Sequence, residues 1–236
     1  MRINKNLLRL LTISTVLMGI TGCSQRISAL NDTIKLAFLG EDDVKLTSEQ
    51  VKSNPYASIY AKIGDTPQAF VVLAFAEPKV TLSHVRPEPD TTELKWLSAD
   101  NGMLVTVNGR LIKTHNLLEG NLAAVESHEP DPIVLGLHLD NTPKTWTRTL
   151  DWQPGYHYGY KVTSQFKLIA DENVLINDTP TQLLHYSETV SVEGLNIQYQ
   201  NDFWLKPDNG HVVKSRQKIA PNLPFIDIIL LKPFAS

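Results

Sequence analysis

Ser164 and Lys167 stand three residues apart in Ser164-Gln165-Phe166-Lys167, the S-x-x-K spacing with which a lysine can take a proton from a serine hydroxyl. That chemistry works on a helix, where a three-residue offset brings both side chains to one face. Here the pair falls within a predicted strand, where an odd offset sends them to opposite faces. A second constellation, His128, Glu129, Asp131 and His138, gathers metal-ligand residue types in one polar stretch. The histidines (84, 115, 128, 138, 157, 185 and 211) otherwise form no close H-x-H or H-x-x-x-H pair, so a solvated loop is expected there and no metal. Two acidic pairs, Asp171-Glu172 and Glu188 with Glu193, have the residue types of a glycosidase, which needs two carboxylates facing one bond. Their expected role is turn or edge solubility. No G-x-S-x-G, H-E-x-x-H, Walker loop or Gly-rich dinucleotide fingerprint occurs. No catalytic residue is assigned, and no cofactor is expected.

The single cysteine is Cys23, which removes disulfides and cysteine-based metal sites. It follows a basic head (Arg2, Lys5, Arg9) and an apolar stretch from Leu10 to Ile20. That stretch is short for a hydrocarbon core of about 30 Å, and the layout is that of a secretory signal peptide. Ile20-Thr21-Gly22-Cys23 resembles the bacterial lipobox, in which the cysteine receives a diacylglycerol and becomes the first mature residue. The expectation is a signal peptide over 1–22 and a lipidated Cys23 carrying diacylglycerol and palmitate. At about 0.8 kcal/mol per buried methylene, three acyl chains hold a protein to a membrane without a spanning helix. Ser24 and Gln25, with no Asp at the second position, resemble the enterobacterial outer-membrane pattern, so the expected location is the bacterial outer membrane with the domain in the periplasm.

Removing residues 1–22 takes away three basic residues and no acidic ones, so 22 basic residues become 19 against 25 acidic. The remaining 214 residues carry a net charge of −6, against −3 for the whole chain. They suffice for one domain with a sizeable core. An acidic domain lacks the basic footprint of nucleic-acid binding. It gathers no polyanion by bulk attraction either, so an anionic glycan needs a local basic site.

The elements that position these groups are mostly strands. Ile27, Leu30, Ile34, Ala37 and Phe38 recur at helical spacing up to Gly40 and predict one short amphipathic helix. Thr47 with Gln50 resembles a capping box for a second, ending near Asn54-Pro55. From Tyr56 apolar and polar residues alternate over Ser58–Ile63, Ala69–Ala76, Glu93–Leu97, Met103–Val107 and Arg110–His115. The pattern resumes over Thr145–Trp152, Tyr158–Ile169, Gln182–Val192, Leu195–Leu205, His211–Ile219 and Phe225–Leu231. Turn signals such as Asn108-Gly109 and Glu193-Gly194 separate them, with no crossover helix, so the neighbours are antiparallel. Leu117–Pro143 is the long exception, expected as a functional loop or cover with a helical turn at Leu117–Val125. The fold expected is mainly β, a large meandering antiparallel sheet curled into a barrel or half-barrel, with short N-terminal helices. The domains are a 1–22 lipoprotein signal peptide, a 23–55 lipid-anchored helical segment and a single 56–236 antiparallel β domain.

Trp96, Trp146, Trp152 and Trp204 recur near strand ends, with faces suited to sugar rings or to barrel packing. Tyr156, Tyr158 and Tyr160 share one side of a strand, with His157 and Gly159 opposite, a core-like pattern. One hairpin can be read in register. With Asp208-Asn209-Gly210 as a three-residue loop and Gly210 left-handed, Pro207 faces His211, Trp204 pairs with Lys214, Asp202 with Arg216 and Gln200 with Lys218. On the other face Leu205 meets Val213 and Tyr199 meets Ile219. The outcome is a basic row, Lys214, Arg216 and Lys218, with Trp204 beside it, a candidate site for glycan or a partner protein. The bland alternative is ordinary surface charge, with Arg216 neutralised by Asp202.

Asn54-Pro55-Tyr56-Ala57-Ser58, Leu94 to Asp100, Leu104 to Thr114, and Phe203-Trp204 through Gly210 to Gln217 carry a resemblance. With the lipobox, they resemble the GfcB/YjbF family of outer-membrane lipoproteins, associated with group 4 capsule and exopolysaccharide production. The resemblance implies a β-rich periplasmic domain, membrane-bound through its lipid, working beside other capsule or exopolysaccharide secretion proteins and the polysaccharide itself. It supplies no catalytic residue. The expected function is an accessory lipoprotein in capsule or exopolysaccharide assembly or export, not an enzyme. Two alternatives stay open. A glycan-modifying hydrolase needs a deep cleft with two convergent carboxylates, and a lipid-carrying half-barrel needs a dry apolar cavity open at one end.

Overall fold

A computed structural model describes residues 42–78 and 92–235. Cys23, the 1–22 segment, His84 and the expected helix up to Gly40 lie outside the described residues. Within them stand one helix, α1 (Ser48–Ser53), and twelve strands: β1 (Ser58–Ile63), β2 (Ala69–Pro78), β3 (Thr92–Leu97), β4 (Met103–Val107), β5 (Arg110–His115) and β6 (Asn121–Glu126), followed by β7 (Thr145–Gln153), β8 (His157–Ile176), β9 (Thr179–Val192), β10 (Ile197–Leu205), β11 (Val212–Lys218) and β12 (Phe225–Lys232). All belong to one antiparallel sheet in the order β5-β4-β3-β2-β1-β12-β11-β10-β9-β8-β7-β6. Chain neighbours pair with each other except β5 and β6, and the β1–β12 pairing joins the two ends of the series.

The sheet curls until its edges, β5 and β6, lie side by side without a shared ladder, giving a nearly closed barrel. Side chains stitch this seam. Thr114 on β5 donates to Asn121 Oδ1 and accepts from the Leu122 N–H, while Asn121 Oδ1 also accepts from the Leu117 N–H. Gln217 on β11 reaches across the interior to the start of β5, donating to the Gly109 carbonyl of the preceding turn and accepting from the Leu111 N–H. Edge groups that would otherwise invite another strand are thus partly satisfied from within. Asn108-Gly109 makes the tight β4–β5 turn with both residues left-handed (φ 44° and 80°), as its chemistry predicts.

Inward residues form two cores. The larger includes Ile59, Trp96, Leu104, Leu150, Trp152, Val190 and Ile226. The second gathers Ile133, Leu137, Trp146, Phe166, Phe203 and Leu205. Outside the barrel, Tyr60, Phe70 and Val72 pack under Val44 and Leu46. Thr47 caps α1 with the reciprocal Gln50 bonds. Just before it the chain is clasped to the β1–β2 turn: the Val44 N–H donates to the Gln68 carbonyl and Gln68 Nε2 to the Val44 carbonyl.

Two expectations need correcting. Leu117–Val125 is not a helical turn; its second half is β6, because pairing with β7 overrides the helical propensity of Leu122, Ala123 and Ala124. Tyr156 and Tyr158 are not core-like, being 92% and 57% exposed. Gly159 is left-handed (φ 66°) and breaks the alternation, so His157 rather than Tyr158 turns inward and stacks on Trp152 at 4.4 Å. The remainder of the long stretch, residues 127–144, does cover one barrel end. Ile133 and Leu137 are fully buried, and Asn108 Nδ2 donates to the Ile133 carbonyl.

Candidate functional site

The β10–β11 hairpin places the basic row on the outer wall. Trp204 pairs with Lys214 and Asp202 with Arg216, as read from the sequence. The loop itself differs. Pro207 has no N–H and cannot close opposite His211. Lys206 does so instead, through its N–H to the His211 carbonyl, while the Gly210 N–H donates back to the Lys206 carbonyl. Gly210 is left-handed (φ 69°) as expected. A bulge between Trp204 and Leu205 absorbs the extra residue, so Leu205 faces Val212 rather than Val213. Lys218 does not continue the ladder to Gln200; its N–H donates to Asn201 Oδ1.

Each cation of the row lies over a ring. Lys214 Nζ sits 4.5 Å from the Trp204 centroid, Arg216 Cζ 4.7 Å from that of Phe225, and Lys218 Nζ 4.6 Å from the same ring. Arg216 is paired, but with Asp227 of β12 at 3.0 Å rather than Asp202. Asp202 turns the other way, 2.8 Å from His185 Nε2. Among the described residues neither Lys214 nor Lys218 has a carboxylate within ion-pair distance. Burial, and then the neighbouring Arg216, pull the Lys218 amine below its ordinary value. Trp204 is held on its β9 side by His185, stacked at 4.4 Å, and its Nε1 donates to Glu172 at 2.8 Å. Between His185 and Lys214 the ring has no bare face for a sugar. What the row offers outward is positive charge on an aromatic shelf.

Behind this wall lies a constellation that sequence reasoning missed. Glu188 on β9 is fully buried inside the barrel. Its Oε2 accepts from Arg110 Nη1 (2.7 Å) and Asn201 Nδ2 (2.8 Å). Its Oε1 accepts from Ser164 (2.6 Å) and faces Arg148 at 3.4 Å. Arg110 also pairs with Asp131 at 2.6 Å, which fastens the 127–144 cover to the barrel. Trp146 lies between the two guanidinium groups, 5.0 Å from Arg110 and 4.4 Å from Arg148. Burial pushes the Glu188 carboxyl up, but Arg110 and Arg148 outweigh it and hold it at about 2. Burial also pushes the Tyr199 hydroxyl up to about 12. Every Glu188 oxygen is engaged and two charges of each sign meet, which is the chemistry of a structural clamp.

The other sequence candidates are dispersed by the fold. Ser164 points inward to Glu188 and Arg148, while Lys167 is exposed on the opposite face. Glu193 pairs with Lys161 at the surface, far in environment from Glu188. Asp131 is committed to Arg110, and among the described residues no three metal-ligating groups converge. The clamp had one sequence signal: Glu188 shares its strand phase with Val190 and Val192, and Arg148 with Trp146 and Leu150, so charges stand at apolar positions.

A family model described as group 4 capsule polysaccharide lipoprotein GfcB, YjbF matches residues 31–231. The chain is 29% identical over 234 residues to the uncharacterized lipoprotein GfcB of Escherichia coli (strain K12), covering 96% of this chain and 99% of that protein. It is 30% identical over 212 residues to the uncharacterized lipoprotein YjbF of the same organism, covering 89% and 91%. The crystal structure of the hypothetical lipoprotein YmcC from Escherichia coli (K12) superposes with a TM-score of 0.67 at 29% identity, covering 81% of this chain and 91% of that one.

Proposed function

The chain belongs to the YjbF family of group 4 capsule polysaccharide lipoproteins, and on that basis we propose that it is an accessory lipoprotein of capsule or exopolysaccharide assembly or export, binding an acidic glycan or an acidic partner surface through its basic row. The observation that carries this reading is the pair of ammonium groups, Lys214 and Lys218, with no carboxylate partner among the described residues, on the wall of a net acidic protein. Cation–π contact with Trp204 and Phe225, worth about 0.5–1 kcal/mol each at exposed sites, holds them in place without neutralising them. An incoming carboxylate finds them preorganised. In this reading the protein works without catalysis, anchored through Cys23 in the outer membrane with its domain in the periplasm. No helix among the described residues is long and apolar enough to cross a membrane.

Two experiments test it. Lys214→Ala with Lys218→Ala should shift stability by no more than about 2 kcal/mol, since each loses only a surface contact. Surface polysaccharide should nevertheless fall sharply at normal protein level. Unchanged polysaccharide in that double variant would remove the basic row from the function. Mass spectrometry of the membrane-bound protein should find an acylated Cys23 at the N-terminus; a free thiol there would remove the anchor.

A further inference from the structure

Among the described residues the barrel is not filled at one end. A cavity of about 310 Å³ opens at the mouth near Asn209, His211 and Phe234. Its walls are Ile59 of β1, Leu94 and Trp96 of β3, Val213 of β11, and Ile228 and Leu230 of β12. The volume falls within the roughly 300–1,000 Å³ typical of ligand sites.

The polar atoms at depth are already engaged. Thr106 Oγ1 accepts from Trp96 Nε1 at 2.9 Å, and Ser215 Oγ accepts from Gln217 Nε2 at 2.9 Å. A sugar placed there would give up its water bonds and find few replacements, whereas a hydrocarbon gives up nothing. The cavity also has direction. On the far side of Trp96, the one lining residue the two share, is a separate smaller space of about 80 Å³, lined by Ala61, Val71 and Leu104 and, at the turns, by Thr66, Ser98 and Asp100. Ala61 is the next inward residue after Ile59 on β1, so the two spaces follow the barrel axis. In the larger space, an apolar wall of Ile59, Leu94, Val213, Ile228 and Leu230 beneath a polar rim fits a linear chain with a polar head.

We propose that this cavity binds a single acyl chain, its tail against Trp96 and its head group at the rim by Asn209 and His211. Of the basic row only Lys214 is among the residues lining the cavity, and the variants below leave the row intact, so either can fail without the other. The chain can come from a free fatty acid or membrane lipid, or from an acyl group on this protein's own Cys23.

The probe is 9,10-dibromostearic acid, whose bromines quench an indole on contact, added to the full-length chain carrying Cys23→Ser, which has no thiol to acylate. Saturable quenching of tryptophan emission is expected, and it should vanish in Trp96→Phe. Leu94→Phe with Leu230→Phe, two half-buried wall positions that can grow into the space, should weaken apparent affinity about tenfold or more while thermal melting stays near that of the parent. The acylated wild type then separates the sources. Exclusion of the probe identifies the protein's own acyl group as occupant, and its acceptance identifies a chain from outside. No quenching with Cys23→Ser, equal quenching in Trp96→Phe, or unchanged affinity in the filled variant overturns the proposal.

Discussion

Glu188→Ala is expected to lower folding stability by about 3–5 kcal/mol, because it leaves Arg110 and Arg148 buried against each other with half their compensation gone. The loss should spread to the cover over the second core, since Arg110 is the residue that holds Asp131. Glu188→Gln keeps the shape and removes the charge, and it isolates the electrostatic part. The carboxyl is held at about 2, below its unfolded value, by Arg110 and Arg148 against the opposing effect of burial. A depressed carboxyl contributes its full stability above the unfolded carboxylate range. That contribution drains away as pH falls from about 5 through the folded value. Urea midpoints measured from pH 7 down to 3 should therefore decline more steeply in the wild type than in Glu188→Gln. Parallel profiles would mean that the clamp does not titrate as its geometry requires.

Gly120→Ala should be the most damaging single methyl among the turns. Gly120 is left-handed (φ 138°), and an added Cβ would press on the Gln153 carbonyl and come within 2.7 Å of Leu223 and Pro154. Backbone strain of about 1–2 kcal/mol adds to overpacking of about 1–3 kcal/mol. A melting temperature lower by about 5–15 °C follows for a domain of this size. Gly194→Ala is the control. It has comparable positive φ (81°) but nothing within 4 Å of the new methyl, so only the strain remains. Equal losses in the two variants would show that contact at the β5–β6 seam is not what Gly120 avoids.

The sequence announced most of the strands because period-2 alternation and Asn-Gly or Gly-containing turns agree with the fold at each step. Ser58–Ile63, Met103–Val107 and Arg110–His115 were legible to the residue, as was the Thr47–Gln50 box. β6 was not, since Leu-Ala-Ala carries helical propensity and only its partner β7 makes it a strand. The Tyr156–Tyr160 pattern misled because one left-handed glycine reverses which side faces the core. The basic row was legible because cross-strand register is local. The clamp was not, because it joins Arg110, Asp131, Arg148 and Glu188 across four parts of the barrel that alternation places inward without saying which meet. The counter-charge of Arg216 was misplaced for the same reason: Asp227 belongs to the next strand over, and a hairpin read alone does not see it.

The clasp between Val44 and Gln68 has a mechanical consequence. It delivers the chain to the end of the barrel that carries the β1–β2 turn, opposite the mouth formed by the cover and the Asn209–His211 loop. A lipid on Cys23 would therefore pull on the domain from that end. From residue 23 to residue 42 there are 19 steps, a leash of at most about 65 Å. The nine residues of β10 span only about 30 Å of wall. A tether that can reach up to twice the height of the wall would hold a lipidated domain near the bilayer without itself choosing which way it faces. Orientation is left to whatever grips the wall itself, and the charged shelf of β10, β11 and β12 is the handle available for it.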